Sequence, residues 1–160
     1  MTEASQNLHI AEFLRRNHIC VLATADKQTA EPHAATVYYA TDSHLNIYFL
    51  TKAKTLKSHN LDTNPWAAMA VYEADTHRTT QISGMVNRVE DEDMMKRALP
   101  LMSKFSKQTA GTAETPISKL AAGEYVLYRL VPQSIRLGEY KYGTPNDLFD
   151  IATPAEESLE

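Results

Sequence analysis

Two hydrophobic periods alternate along this chain. Leu8, Ile10, Phe13 and Leu14 recur at helical spacing, with Glu12, Arg15 and Arg16 off that face, which predicts an amphipathic helix capped at Ser5. Strand patterns follow. Ile19 to Ala25 is an apolar, β-branched run ending in the turn Asp26-Lys27-Gln28. Pro32 to Thr41 carries Val37, Tyr38 and Tyr39, all strong β formers. Asp42-Ser43-His44 is a short turn, so Leu45 to Leu50 should complete an antiparallel hairpin.

The period then changes. Thr55 can cap a short helix that must stop at Asn64-Pro65, because proline disfavours helix in the residue before it. Trp66 to Tyr72 and Thr79 to Val89 are two further strands, and Gly84 inside the second suggests a bulge or a close backbone approach. Asp91-Glu92-Asp93 opens a second long helix with acidic residues where the dipole prefers them. Met94, Met95, Ala98, Leu99, Met102 and Phe105 form its apolar side, Pro100 should kink or split it, and Gln108 to Thr115 reads as loop. Tyr125 to Val131 and Ser134 to Tyr142 are two closing strands. Short antiparallel strands with turn signals predict a mainly β protein, a six- or seven-stranded antiparallel barrel with helices at one end. One domain is expected over 1–143, with a frayed polar tail over 144–160.

Charge narrows the function. A net charge of −4 argues against a general nucleic-acid or anionic-membrane binder. Against that background Lys52, Lys54, Lys57 and His59 form a local basic cluster. The single cysteine, Cys20, lies in an apolar strand and reads as a small core residue. With no possible internal disulfide, no signal-peptide layout at the start and no apolar run near 20 residues, a cytoplasmic location is expected. The histidines show no metal-ligand spacing, so no metal is expected.

Candidate chemistry concentrates at Thr51-Lys52-Ala53-Lys54-Thr55-Leu56-Lys57. A cation in the first turn of a helix opposes the helix dipole unless an anion joins it, and helix N-termini bind phosphate through free N–H groups. Thr55 and Lys57 are therefore read as a phosphate-binding corner on a barrel. Around this corner the ordered set Pro32-His33, Ile47-Tyr48-Phe49-Leu50-Thr51, Thr55-Leu56-Lys57, Asn60-Leu61, Asn64-Pro65 and Gly84 resembles the pyridoxamine 5′-phosphate oxidase-like, FMN-binding split-barrel family. The match runs from Ile19 to Val89, more weakly from Tyr125 to Leu137, and includes the seven-residue interval from Lys57 to Asn64.

The resemblance implies a homodimer holding FMN in a cleft between subunits, with an oxidoreductase acting on an unidentified small molecule. It implies that Thr36, Val37 and Tyr38 meet the isoalloxazine edge, and that Leu50 and Thr51 line the ring and ribityl chain. It implies that Thr55 and Lys57 hold the phosphate with Asn60 nearby, and that Thr79 and Gln81 supply polar contacts to the flavin. Two positions depart from the family pattern: Ala35 and Leu56 stand where related oxidases carry arginines. Ile135-Arg136-Leu137-Gly138-Glu139 replaces the Arg-Leu-His signature of true pyridoxamine phosphate oxidases, which sets that reaction aside. Two other readings use the same scaffold: a non-catalytic stress-response or ligand-binding protein without tight FMN, and a haem or deazaflavin binder in which His33 or His59 could serve as ligand. No motif names a catalytic residue.

Overall fold

The computed structural model describes residues 3–110, 125–140 and 147–151. In chain order the elements are α1 (Glu3–Arg16), β1 (Ile19–Ala25), β2 (Pro32–Thr41), β3 (Ile47–Lys52), α2 (Leu56–Thr63) and β4 (Trp66–Glu73). β5 (Arg78–Arg88), α3 (Glu92–Ala110), β6 (Tyr125–Glu139) and β7 (Asp147–Ile151) follow. The sheet runs β3-β2-β1-β4-β5-β6-β7, and β3 also pairs with β6, so six antiparallel strands close a barrel. The fold is the mainly β antiparallel barrel expected from the pattern, of the split-barrel type that the resemblance implies.

The split lies in β6. Its first half pairs with β3 from Tyr125 to Leu130, and its second half pairs with β7 from Ile135 to Glu139. β6 is one continuous strand where the sequence predicts two. Pro132-Gln133 is a bulge within it: Gly84 faces Pro132 while Ser83 faces Ser134, leaving one extra residue on β6. Gly84 is required there, because an added Cβ would lie 2.1 Å from the Val131 carbonyl oxygen. β7 falls in the segment expected to fray; Asp147 to Ile151 pair with β6 in full register.

Inward residues alternate with outward ones, as a barrel demands. Leu22, Tyr39, Ile47, Phe49, Tyr128 and Leu130 fill the interior, Phe49 and Tyr128 stacking at 5.4 Å. The helices do not share one end. α1 covers the start of β1, where the Tyr39 hydroxyl donates to Leu14 O at 3.0 Å. α2 closes the other end, where Asn64 Nδ2 donates to Ala25 O at 3.2 Å. α3 lies on the outside of β2 and β3, burying Leu50, Ala98, Met102 and Leu127 together. α3 starts earlier in its acidic run than its apolar face requires and stays helical through Pro100 to Ala110, so Gln108 is helical and not loop. α1 already includes Glu3, which puts Ser5 inside the helix and not at its cap. β3 begins at Ile47, because Leu45 adopts φ 64° in a turn held by Asp42, whose carboxylate accepts from His44 N and Asn46 N at 2.9 Å.

Candidate functional site

The corner at α2 is built by its cap. Thr55 is extended (φ −121°, ψ 158°), and its hydroxyl accepts from Ser58 N at 3.4 Å and donates to Lys52 O at 3.0 Å. Ser58, fully buried, also donates to Lys52 O, at 2.9 Å. The turn from β3 into α2 is thus locked from within, and the Thr55 hydroxyl is committed to it. Lys57 sits one residue inside the helix, half-buried. Burial holds its ammonium below the ordinary lysine range. Among the described residues it forms no ion pair, whereas Asp62 farther along α2 accepts two bonds from Arg88, at 2.9 and 2.6 Å. A partly desolvated cation without a carboxylate is the arrangement that an incoming anion relieves.

The residues predicted to surround a flavin are distributed over four environments. Val37 and Thr51 point into the barrel and are buried, so only their backbones reach a surface. Asn60 is 1% exposed and donates from Nδ2 to Thr24 Oγ1 at 3.1 Å, which makes it a bolt between α2 and β1. Tyr38 and Leu50 face outward but lie beneath α3. Thr36, Thr79 and Gln81 also face outward, on the open side of the sheet, away from α3.

That open side carries a hollow of about 600 Å³ lined by Val21, Ala23, Ala68, Ala70, Gln81, Ser83, Ser134 and Arg136. Register explains it. One outward row crosses five strands as Thr36, Val21, Ala70, Gln81 and Arg136. The next runs Ala34, Ala23, Ala68, Ser83 and Ser134. Along β4 the outward side chains read Trp66, Ala68, Ala70, Tyr72: large, small, small, large. The two alanines line the hollow, and the two aromatics, 49% and 60% exposed, follow them at the two ends of this outward row without lining it. Ile19, Val21, Met85 and Val131 are further exposed apolar groups on these strands. Ser83, Ser134 and Arg136 were not singled out as site residues from the sequence. The alternation of large and small outward residues over Trp66 to Tyr72 was their only sequence-level signal, and it becomes readable only once the inward face is known.

His33 lies half-buried at the α2 end, opposite Thr24 in register, with a buried Nδ1 that has no hydrogen-bond partner among the described residues. Cys20 is buried, and its thiol is pushed far above the usual range by desolvation. Among the described residues no group of three or more His, Cys, Asp or Glu side chains could hold a metal ion. No helix among them is long and apolar enough to cross a membrane.

Comparison with known proteins bears on the family and the fold. The chain is 30% identical over 117 residues to the dihydrophenazinedicarboxylate synthase of Pseudomonas chlororaphis, covering 69% of this chain and 52% of that protein. It spans about half the length of the curated relatives it matches. An FMN-binding protein of Nostoc punctiforme, related to pyridoxamine 5′-phosphate oxidase, has the same fold with a TM-score of 0.57 at 14% identity, over 92% of this chain and 94% of that one. The haem storage protein HutZ of Vibrio cholerae gives a TM-score of 0.61 at 20% identity, over 80% and 91%. The model of the pyridoxamine 5′-phosphate oxidase family matches residues 8–137, and the chain belongs to that family.

Proposed function

We propose that this protein is a cytoplasmic, FMN-binding homodimer that oxidises or reduces a small molecule. The observation that carries the reading is Lys57: a half-buried cation at a capped helix start, with no carboxylate among the described residues to neutralise it. In this reading the ammonium and the first free N–H groups of α2 take the flavin phosphate. Thr55 acts through the cap that fixes the turn. The ring lies toward the open sheet side bearing Thr36, Thr79 and Gln81. The flavin supplies the redox chemistry, and the chain's residues bind, orient and shield.

The homodimer is supported by the exposed apolar groups of the open side. Ile19, Val21, Trp66, Tyr72, Met85 and Val131 lie on neighbouring strands, more apolar surface than scattered exposure explains. A second copy seated there would cover them and roof the hollow. Family membership and the FMN-binding relative support the cofactor.

The test is the visible spectrum of freshly purified protein, followed by mass spectrometry of what denaturation releases. Flavin bands, or saturable FMN binding to the colourless protein, are expected, with a dimer by sedimentation. No binding at millimolar FMN sinks the flavoprotein reading. The same spectrum tests a second one, motivated by the unpartnered Nδ1 of His33 and the haem storage relative: a Soret band that shifts in a His33→Ala variant would make haem the ligand.

A further inference from the structure

We propose that α3 is a pH-sensitive cover over β2 and β3, latched by the stack of His18 on Phe105. The cover does not depend on the flavin reading, which enters only through the residues that lie beneath it.

α3 is joined to the barrel through a core of its own. Leu50, Ala98, Met102 and Leu127 bury one another apart from the main cluster that holds Leu22, Tyr39 and Phe49. Met94 and Met95 extend this contact from the helix and are only partly buried. Flexible thioethers fill a surface without fixing a single fit. Pro100 removes a backbone donor from the middle of the helix. A helix on a small separate core, with a gap in its ladder, opens at lower cost than strands paired on both edges. Opening uncovers Tyr38 and Leu50, which the resemblance sets around a flavin.

The latch is in the link between α1 and β1. The His18 backbone is fixed there, its carbonyl accepting from Tyr39 N at 3.0 Å. Its ring lies flat on Phe105 of α3, with centroids 3.5 Å apart and planes 4° from parallel. Its Nδ1 is buried with no hydrogen-bond partner among the described residues. A neutral imidazole suits this place, because Nδ1 can be the nitrogen without a proton. An imidazolium carries N–H on both nitrogens and would bury a charged donor that has no acceptor. A cation–π contact with Phe105 offsets part of that cost.

The charged or titratable side chains on the elements that meet here are Arg15 and Arg16 of α1, Cys20 of β1, Tyr38 and Tyr39 of β2, and Lys104 of α3. Arg16 is paired with Glu73, the Tyr39 hydroxyl donates to Leu14 O, and Arg15 and Lys104 are exposed. Burial, and no charged neighbour, holds the His18 pKa below the ordinary histidine value. The docked ring therefore disfavours the proton, and the released ring does not. Docking is at full strength above the ordinary value of about 6.5 and weakens as pH falls below it.

The test is amide exchange of the full-length protein at about pH 7.5 and about pH 5.5, corrected for the intrinsic rates, with no flavin added. Acidification should lower protection over Met94 to Phe105 several-fold more than in β1 and β4. His18→Phe, which keeps a flat ring without a titrating group, should keep the protection of α3 and abolish its pH dependence. Phe105→Ala should lose protection at both pH values. Proton NMR of the His18 ring gives a second readout: its signals should lie upfield under the Phe105 ring current, and Phe105→Ala should raise its titration midpoint. Protection of α3 that ignores pH, that falls only in step with the barrel, or that keeps its pH dependence in His18→Phe would overturn the proposal, as would a His18 midpoint unmoved by Phe105→Ala. Because FMN is absent throughout, none of these results bears on whether the flavin reading holds.

Discussion

Asn60 on α2 and Thr24 on β1 share a hydrogen bond of 3.1 Å inside the end of the barrel, and Asn60 Oδ1 beside it has no partner among the described residues. This bond, with the Asn64 to Ala25 contact, fixes where α2 lies and so where Lys57 is presented. A buried donor that loses its acceptor costs about 1–3 kcal/mol. Thr24→Val should therefore destabilise the protein by that amount in urea unfolding, while Thr24→Ser, which keeps the hydroxyl, should cost less. If Thr24→Val unfolds like the parent, the bond does not tie helix to strand.

At Gly84 the backbone of β6 approaches β5 too closely for a side chain. The bulge at Pro132-Gln133 brings the Val131 carbonyl over it, and a methyl group at Gly84 would meet backbone atoms that cannot rotate away. Overpacking usually costs about 1–3 kcal/mol, and more where backbone is the obstacle. Gly84→Ala is expected at or above the top of that range, seen as a loss of soluble protein or a large fall in Tm. A variant within a degree or two of the parent would contradict the close approach.

The strands were legible because alternation, β-branched residues and turn residues all mark them, and because Thr55 and Asn64-Pro65 bracket α2 unambiguously. The misreadings have local causes. Asp42 takes four hydrogen-bond donors, His44 N, Asn46 N, Asn46 Nδ2 and the Tyr48 hydroxyl, which draws Leu45 into a turn that its apolar character disguised. Proline in β6 looks like a strand end, yet the extra residue of the bulge absorbs it. The site was less legible than the fold. Alternation assigns residues to two faces without saying which is interior, so Val37 and Thr51 were grouped with Tyr38 and Leu50 although they point opposite ways. Nor could periodicity show that α3 would lie over Tyr38 and Leu50, since that depends on how an amphipathic helix docks.

Pro100 lies within the continuous α3, on its exposed side. It lacks the N–H that an interior helical residue would donate to Lys96, and proline in a helix interior costs about 3 kcal/mol relative to alanine. Because its ring is exposed, Pro100→Ala removes little packing. The substitution should raise Tm, or, if α3 unfolds separately from the barrel, raise amide protection in α3 alone. Unchanged protection from Met94 to Phe105 would show that the docked helix has already compensated for the proline.

Lys57 gives the sharpest contrast between stability and binding. Its ammonium is held below the ordinary lysine range by desolvation, so folding disfavours the proton. Below the folded pKa both states are protonated and the fold carries that penalty in full. Between the folded and unfolded pKa values the unfolded chain binds more protons, so stability rises with pH; above both, the penalty is gone. Lys57→Met should therefore make the ligand-free protein slightly more stable at neutral pH, by no more than about 0.5 kcal/mol for a group only half-buried, and this gain should close as pH climbs through the lysine range. FMN should invert the order. A phosphate against the ammonium forms a charge-assisted contact of about 1.5–3 kcal/mol, so the same variant should bind FMN about 10- to 150-fold more weakly. Paired urea and FMN titrations at neutral and alkaline pH measure both effects. A variant that loses stability without FMN would identify Lys57 as a structural residue, and one that binds FMN like the parent would take the phosphate away from this corner.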